Sequence, residues 1–263
     1  MRKQVSTKRA WKSFWSVVKE ADVVLEILDA RFPDRFRYKN IEEKLKRMGK
    51  AIILVINKAD LIPKEVLNAW KRIFSKEYPT VYLSATERLG TRILRKTILR
   101  YAPRIPAKVA IVGYPNVGKS SIINVLKGRH SAGTSPIPGF TTSIQLIRIS
   151  SKIMMIDTPG VFPSLGKEEE LALKGALRPE SLENPYFAAK YIFETILNWN
   201  PMAIKETYDI NTTNFEEFIE EFARKRGLLK KKGELNIDEA CRIFIRDWQK
   251  GKIMAYEKPD NIS

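Results

Sequence analysis

Four short polar motifs, each set after an apolar run, restrict what this chain can fold into more tightly than anything else in it. In chain order they are Asn57-Lys58-Ala59-Asp60, Ser84-Ala85-Thr86, Gly113-Tyr114-Pro115-Asn116-Val117-Gly118-Lys119-Ser120 and Asp157-Thr158-Pro159-Gly160. The third fits G-x-x-x-x-G-K-S. Between a strand and a helix, such a loop turns its backbone N–H groups and the helix N-terminus onto phosphate oxygens. Glycine is needed where a Cβ would block that approach. Residues 109–112 read as the strand and residues 120–127 as the helix, which is the context the motif requires. Asn116, Val117, Gly118, Lys119, Ser120 and Ser121 are the expected phosphate contacts. Lys119 would neutralise terminal phosphate oxygens, and the Ser120 hydroxyl would ligate Mg²⁺.

The remaining motifs say which nucleotide is read. The Asp60 carboxylate is able to accept from the N1–H and the 2-amino group of guanine together. Adenine offers a different edge and would leave a buried carboxylate unpaired. Asn57 has two open readings: a bond to the O6/N7 side of the base, or a tie between loops. The Lys58 stem would cover the ring. Ser84, Ala85 and Thr86 would supply a backbone N–H to guanine O6. Asp157 would hold Mg²⁺ through water, and the Gly160 N–H would contact the γ-phosphate. The loop containing Pro138, Gly139, Phe140, Thr141 and Thr142 is expected to bring one threonine to Mg²⁺, and alignment of the motif favours Thr141 over Thr142. The four motifs together describe a GTP site. An ordinary small GTPase carries its phosphate-binding motifs first and its base-reading motifs last, whereas here the halves are exchanged.

Strand-like runs at residues 23–28, 51–56, 81–84, 109–112, 144–149 and 153–156 alternate with helical patterns at 40–48, 66–74, 94–100 and 120–127. That alternation implies an α/β unit with a mostly parallel sheet, edged by one antiparallel hairpin through residues 150–152. Trp11, Phe14, Trp15 and Val18 share a helical spacing, as expected of an N-terminal helix whose aromatics pack into the core. After Pro163 the β signal ends. Residues 168–177, 185–197, 215–226 and 237–249 read as helices, so the chain divides into residues 1–163 and an all-helical region at 164–263. A single cysteine, Cys241, excludes a disulfide framework and a thiolate-rich metal site and is expected to be buried. No apolar run approaches the roughly 20 residues that span a membrane, and no apolar segment follows the basic start. A soluble, cytoplasmic monomer with no membrane partner is expected.

The motif order resembles the circularly permuted GTPases of the YlqF/RbgA type, and the resemblance covers nearly the whole chain. Asp29-Ala30-Arg31, followed by Pro33 and Asn40, is similar to that family's own signature. The stretches Gly233–Asp238, Ile245–Trp248 and Gly251-Lys252 resemble its helical tail. The resemblance implies a circularly permuted Ras-like P-loop GTPase domain with a C-terminal all-helical domain. It also implies action in assembly of the large ribosomal subunit, with the tail binding ribosomal RNA. Because the cut places Asp157–Gly160 immediately before the helical region, nucleotide state is expected to control the grip on RNA.

Catalysis is less constrained. Val161 and Phe162 follow the Asp-x-x-Gly motif, where many GTPases place a water-orienting glutamine. Slow intrinsic hydrolysis is therefore expected, with help from a partner or a monovalent cation. Asn116 matches the asparagine of K⁺-activated GTPases, and the alternative for it is loop capping. The lone histidine, His130, is read as a surface or packing residue rather than a water-orienting one. The set of catalytic candidates is Lys119, Thr141, Gly160 and Asn116; GTP or GDP, Mg²⁺ and K⁺ are the candidate cofactors.

The formal charge of +17 points to a polyanion partner, with solubility or a lysine-rich thermophile surface as the alternative. Arg224, Lys225, Arg226, Lys230, Lys231 and Lys232 flank Gly227 and are the expected RNA contacts; Arg2, Lys3, Lys8, Arg9 and Lys12 form a second cluster. Trp248 and Tyr256 either stack bases or, for Trp248 above all, belong to the core. Two rival functions remain: a GTP-sensing RNA-binding scaffold with negligible hydrolysis, and a GTPase in tRNA modification.

Overall fold

A computed structural model describes residues 11–12, 14–128, 146–156, 166–231 and 233–259. The chain divides into two compact units, one of residues 1–163 and 259–263, the other of residues 164–258.

The first unit is built on six strands: β1 (Val23–Asp29), β2 (Ala51–Asn57), β3 (Thr80–Tyr82), β4 (Ala107–Val112), β5 (Leu146–Arg148) and β6 (Ile153–Ile156). β1 is buried at every position and β2 at all but its first. Near-continuous Val, Ile and Leu runs of this kind suit strands covered on both faces. The spatial order is β3-β2-β1-β4-β6-β5. All neighbours are parallel except the β5–β6 hairpin. From β1 the chain steps outward to β2 and β3, then returns to place β4 on the other side of β1. Loops after β1 and β4 therefore leave the sheet in opposite directions, and the crevice between them lies at the carboxyl edge where α/β sheets hold ligands. The strand leading into the glycine-rich loop is fourth in sequence and central in space, as a permuted connection requires.

Among the described residues this unit also holds the helices α1 (Lys39–Arg47), α2 (Lys64–Phe74), α3 (Thr91–Tyr101) and α4 (Lys119–Lys127). Their buried residues keep the helical period: Ile41 and Leu45; Val66, Leu67, Trp70 and Phe74; Leu94 and Ile98; Ile122 and Leu126. Residues 14–20 are helical, with Phe14, Val17 and Val18 buried. Trp15 instead meets the Lys44 ammonium 4.0 Å from its ring centre. The helices start earlier than their first apolar residue suggests, because the opening turns are polar and exposed. β3 ends at Tyr82, two residues short of expectation, since Ser84 leaves the ladder to bridge Leu89.

The second unit holds α5 (Glu168–Leu173), α6 (Pro185–Trp199), α7 (Ala203–Tyr208), α8 (Phe215–Lys225) and α9 (Ile237–Gln249). Phe193, Phe215, Phe218, Phe222 and Phe244 pack its core, with Phe193 stacked on Phe218 at 4.8 Å and Phe244 edge-on to Phe218 at 5.0 Å. Asn214 and Asn236 cap α8 and α9 by accepting from the Glu217 and Glu239 N–H groups. Trp248 is fully buried and Cys241 with it, its thiol pushed up to about 12 by burial and then by Asp238. The indole is thus core and unavailable to bases. Helix α5 stops at Leu173 rather than running to residue 177. α7 was not legible as a separate helix.

Candidate nucleotide site

Three of the four motifs open from the same edge of the sheet, and one side chain joins them. Asn57 ends β2, opposite Asp29 at the end of β1. Its Nδ2–H donates to the Val117 carbonyl at 2.7 Å, and its Oδ1 accepts from the Ala85 N–H at 3.2 Å. Asn57 is almost fully buried. Of the two sequence readings for this residue, the tie between loops is the one realised. The base-reading loop, the Ser84–Thr86 loop and the glycine-rich loop are fastened together around one crevice.

Close packing explains both glycines of the phosphate motif. At Gly113, with φ +140, an added Cβ would stand 2.7 Å from the Ile27 carbonyl oxygen. At Gly118, with φ +96, it would stand 2.1 Å from Asn57 Nδ2. Any side chain at 118 would break the tie that Asn57 makes. Gly118 precedes α4 without a side-chain cap, so the first N–H groups of that helix face the loop and favour an anion. Lys119 donates from Nζ to the Gly113 and Tyr114 carbonyls at 2.9 and 2.5 Å. Burial pushes its ammonium down to about 8. Among the described residues this half-buried cation faces only carbonyls, which fits a site that receives phosphate. Ser120 and Ser121 are exposed in the first turn of α4, and Val117 is buried beneath the loop. Asn116 is exposed and left-handed, φ 61.

The base-reading side is equally built. Lys58 is left-handed, φ 63, and its ammonium pairs with Asp29 Oδ2 at 2.7 Å. Arg31 clamps the same carboxylate through Nε at 3.0 Å and Nη2 at 2.9 Å, while its backbone N–H donates at 3.1 Å. Burial alone would raise the Asp29 carboxyl. The Arg31 and Lys58 charges and hydrogen bonds outweigh it and hold the group below the usual carboxylate range. The Asp-Ala-Arg signature, which the sequence supplied without a role, thus anchors the Lys58 side chain. An acid closing an apolar strand was the one available signal. Asp60 is exposed in the short turn after Lys58. The Ala85 N–H, expected on guanine O6, is bonded to Asn57, and the Thr86 N–H has no partner among the described residues.

Thr141, Asp157, Gly160 and His130 lie outside the described residues, as do Thr142, Val161, Phe162, Lys232 and the cluster Arg2, Lys3, Lys8 and Arg9. Of the expected Mg²⁺ donors, only Ser120 is described. Its hydroxyl, exposed in the first turn of α4, fits a divalent cation held between protein and phosphate.

The expected RNA contacts need correction in one respect. Read linearly, Arg224, Lys225 and Arg226 lack acidic neighbours. The helical turn brings Glu220 to Arg224 at 2.7 Å and Glu221 to Lys225 at 3.7 Å, and Asp247 pairs with Arg226 at 3.3 Å. Lys230 and Lys231 remain exposed and outside any ion pair among the described residues. Tyr256 is half-buried.

A family model described as RsgA GTPase matches residues 5–165, and one described as 50S ribosome-binding GTPase matches residues 108–230. A GTP-binding protein of Methanocaldococcus jannaschii is 41% identical over 245 residues, 92% of this chain and 65% of its own. Nucleolar GTP-binding protein 2 of Saccharomyces cerevisiae is 36% identical over 264 residues, 96% of this chain and 54% of its own. The chain spans about half to two thirds of the length of these relatives. Among solved structures, GNP-bound YlqF from T. maritima is 28% identical with a TM-score of 0.72, covering 97% of this chain and 100% of that one. The GDP-bound YlqF gives 28% and 0.70, covering 94% and 99%.

Proposed function

This chain belongs to the circularly permuted GTPases of the YlqF type, and on that premise we propose that it binds GTP with Mg²⁺ and hydrolyses it slowly alone while assembling the large ribosomal subunit. The Asn57 tie carries the reading. It fastens the loop that begins at Asn57 to the Ser84–Thr86 loop and to the glycine-rich loop, which supports one ligand shared by Asp60 and Lys119. In this reading Asp60 accepts from guanine, the Lys58 stem covers the ring, and the Thr86 N–H, which the Asn57 tie leaves open, meets O6. Asn116, Val117, Gly118, Lys119, Ser120, Ser121 and Gly160 surround the phosphates. Ser120, Thr141 and Asp157 hold Mg²⁺, which offsets charge on the terminal phosphate oxygens. Lys119, Thr141 and Gly160 stabilise the transferring phosphoryl group.

Asn116 is the residue to which we assign K⁺. Its exposed, left-handed position at the crest of the loop supports that role. GTP state is taken to control the hold on ribosomal RNA, to which Lys230 and Lys231 contribute. The relatives' names support the ribosomal setting: one family model is described by 50S ribosome binding and several relatives by the nucleolus. We assign the chain to the cytoplasm; among the described residues no helix is long and apolar enough to cross a membrane.

Single-turnover hydrolysis tests this. The rate should be higher in KCl than in NaCl at equal ionic strength, and higher again with large ribosomal subunits present. RNA affinity should differ between GDP and a non-hydrolysable GTP analogue. Negligible hydrolysis with and without subunits, with RNA affinity still set by the nucleotide, would leave the GTP-sensing RNA-binding scaffold in its place.

A further inference from the structure

The chain's positive charge is not shared between its units. Residues 164–258 hold 16 lysines and arginines against 17 aspartates and glutamates, so the helical unit is nearly neutral. The rest of the chain holds 31 against 13 and carries the whole excess. Within it no Asp or Glu occurs from Arg88 to Ile156, a stretch with 12 lysines and arginines. Such a one-signed segment attracts polyanions.

The structure gathers much of that charge on α3. Arg92, Lys96 and Arg100 recur every four residues, share one helical face and are exposed. Arg88 stands just ahead of the helix and is exposed too. Large apolar side chains lie on the helix or at its start: Leu89 is 63% exposed, Ile93 55% and Tyr101 42%. The Arg100 guanidinium lies 5.7 Å from the Tyr101 ring centre. A merely solvated charged face has no need of such residues, and a packed core would not leave them out.

Beside this face runs a groove of about 660 Å³ between the start of α3 and α4, walled by Arg88, Leu89, Arg92, Ile93, Arg95 and Asn124. Thr91 also lines it. Thr91 Oγ1 and Arg95 Nε are buried there with no hydrogen-bond partner among the described residues. Buried polar atoms of this kind call for a ligand or water.

We propose that the α3 face, with Arg88, Arg92, Lys96 and Arg100 flanked by Leu89, Ile93 and Tyr101, binds the phosphate backbone and unstacked bases of an RNA. The proposal rests on the reading of this chain as an RNA-contacting GTPase and moves the main contact to the GTPase unit. Cations four residues apart on a helix rise about 6 Å, near the spacing of successive phosphates along a strand. Exposed apolar and aromatic surfaces between them suit base faces, as in proteins that bind single-stranded loops. An acidic protein segment would satisfy the cations and leave those surfaces without purpose.

The test uses the full chain and a fluorescent RNA hairpin with a single-stranded loop. The triple variant Arg92→Glu/Lys96→Glu/Arg100→Glu is compared with Lys46→Glu/Arg47→Glu/Lys64→Glu, an equal charge change elsewhere on the same unit. The α3 variant should bind at least about tenfold more weakly, and its log affinity should fall less steeply with log salt, by about 2 in slope for three lost phosphate contacts. The other variant should stay within about threefold of wild type on the same electrostatic grounds, and all should keep wild-type GTP affinity. If the glutamate variant loses GTP binding, the milder glutamine triple decides. Equal loss in both variants would reduce the effect to net charge and overturn the assignment, as would competition by polyglutamate as effective as by RNA. Wild-type protein that binds no RNA would overturn the broader reading as well.

Discussion

Asn57 shows how one buried amide can organise a site. Its two bonds reach across 60 and 28 residues of sequence, and both partners are backbone groups, so no covarying side chain was there to read. The motif Asn57-Lys58-Ala59-Asp60 was legible, and so was the glycine-rich loop. What joins them was open, because it depends on which strands stand side by side. Asp29 makes the same point: its place at a strand end was visible, but its pairing with Lys58 needed the β1–β2 register. Lys119 supports a sharper statement. Burial brings its ammonium down to about 8 in the unliganded protein, against an ordinary 10.5. Between those values the unfolded chain binds more protons than the folded one. Stability of the unliganded protein therefore rises with pH across that window, and the full desolvation penalty is present below it. A bound phosphate favours the charged form. Calorimetry of nucleotide binding at pH 8.5 in buffers of differing ionisation enthalpy should report a net uptake of protons. No uptake would mean that Lys119 is already fully charged there.

Elements were legible where their periodicity was long and harder where they end. The sequence placed every strand of the sheet, because apolar runs between turn residues are local signals. It overran α5 because residues 174–177 continue an apolar pattern that the chain does not follow. The stop is stabilised from far away. The Trp248 indole N–H donates to the Leu173 carbonyl at 2.9 Å, and the Gln249 amide donates to the Ala172 and Leu177 carbonyls at 2.9 and 3.0 Å. The Leu173 carbonyl, in the last turn of α5, is among those a helix end leaves without a backbone partner. Gly175, with φ +70, lets the chain turn there. α7 escaped notice because six residues span less than two turns, too few for a period to register. Trp248→Phe keeps the apolar bulk and removes the donor, stranding a buried carbonyl. It should destabilise the protein by about 1–3 kcal/mol and lower the midpoint of thermal unfolding, which scanning calorimetry would read. An unchanged midpoint would show that α5 ends without that bond.

At the scale of the whole molecule, exchanging the halves of the GTPase unit leaves the sheet intact, because β4 slots beside β1 whichever half comes first in the chain. The central claim is that residues from both halves grip one guanine nucleotide, Asp60 the base and Lys119 the phosphates. Isothermal titration of the wild-type protein and of Asp60→Asn with GTP, ATP and xanthosine triphosphate tests it most directly. Xanthine carries a carbonyl where guanine has its 2-amino group, so an amide donor at position 60 suits it. The account predicts that wild type prefers GTP to ATP by at least about a thousandfold and that Asp60→Asn shifts its preference to xanthosine triphosphate. Wild-type affinities for GTP and ATP within about tenfold of each other would contradict it, since a carboxylate aimed at the base cannot be indifferent to adenine.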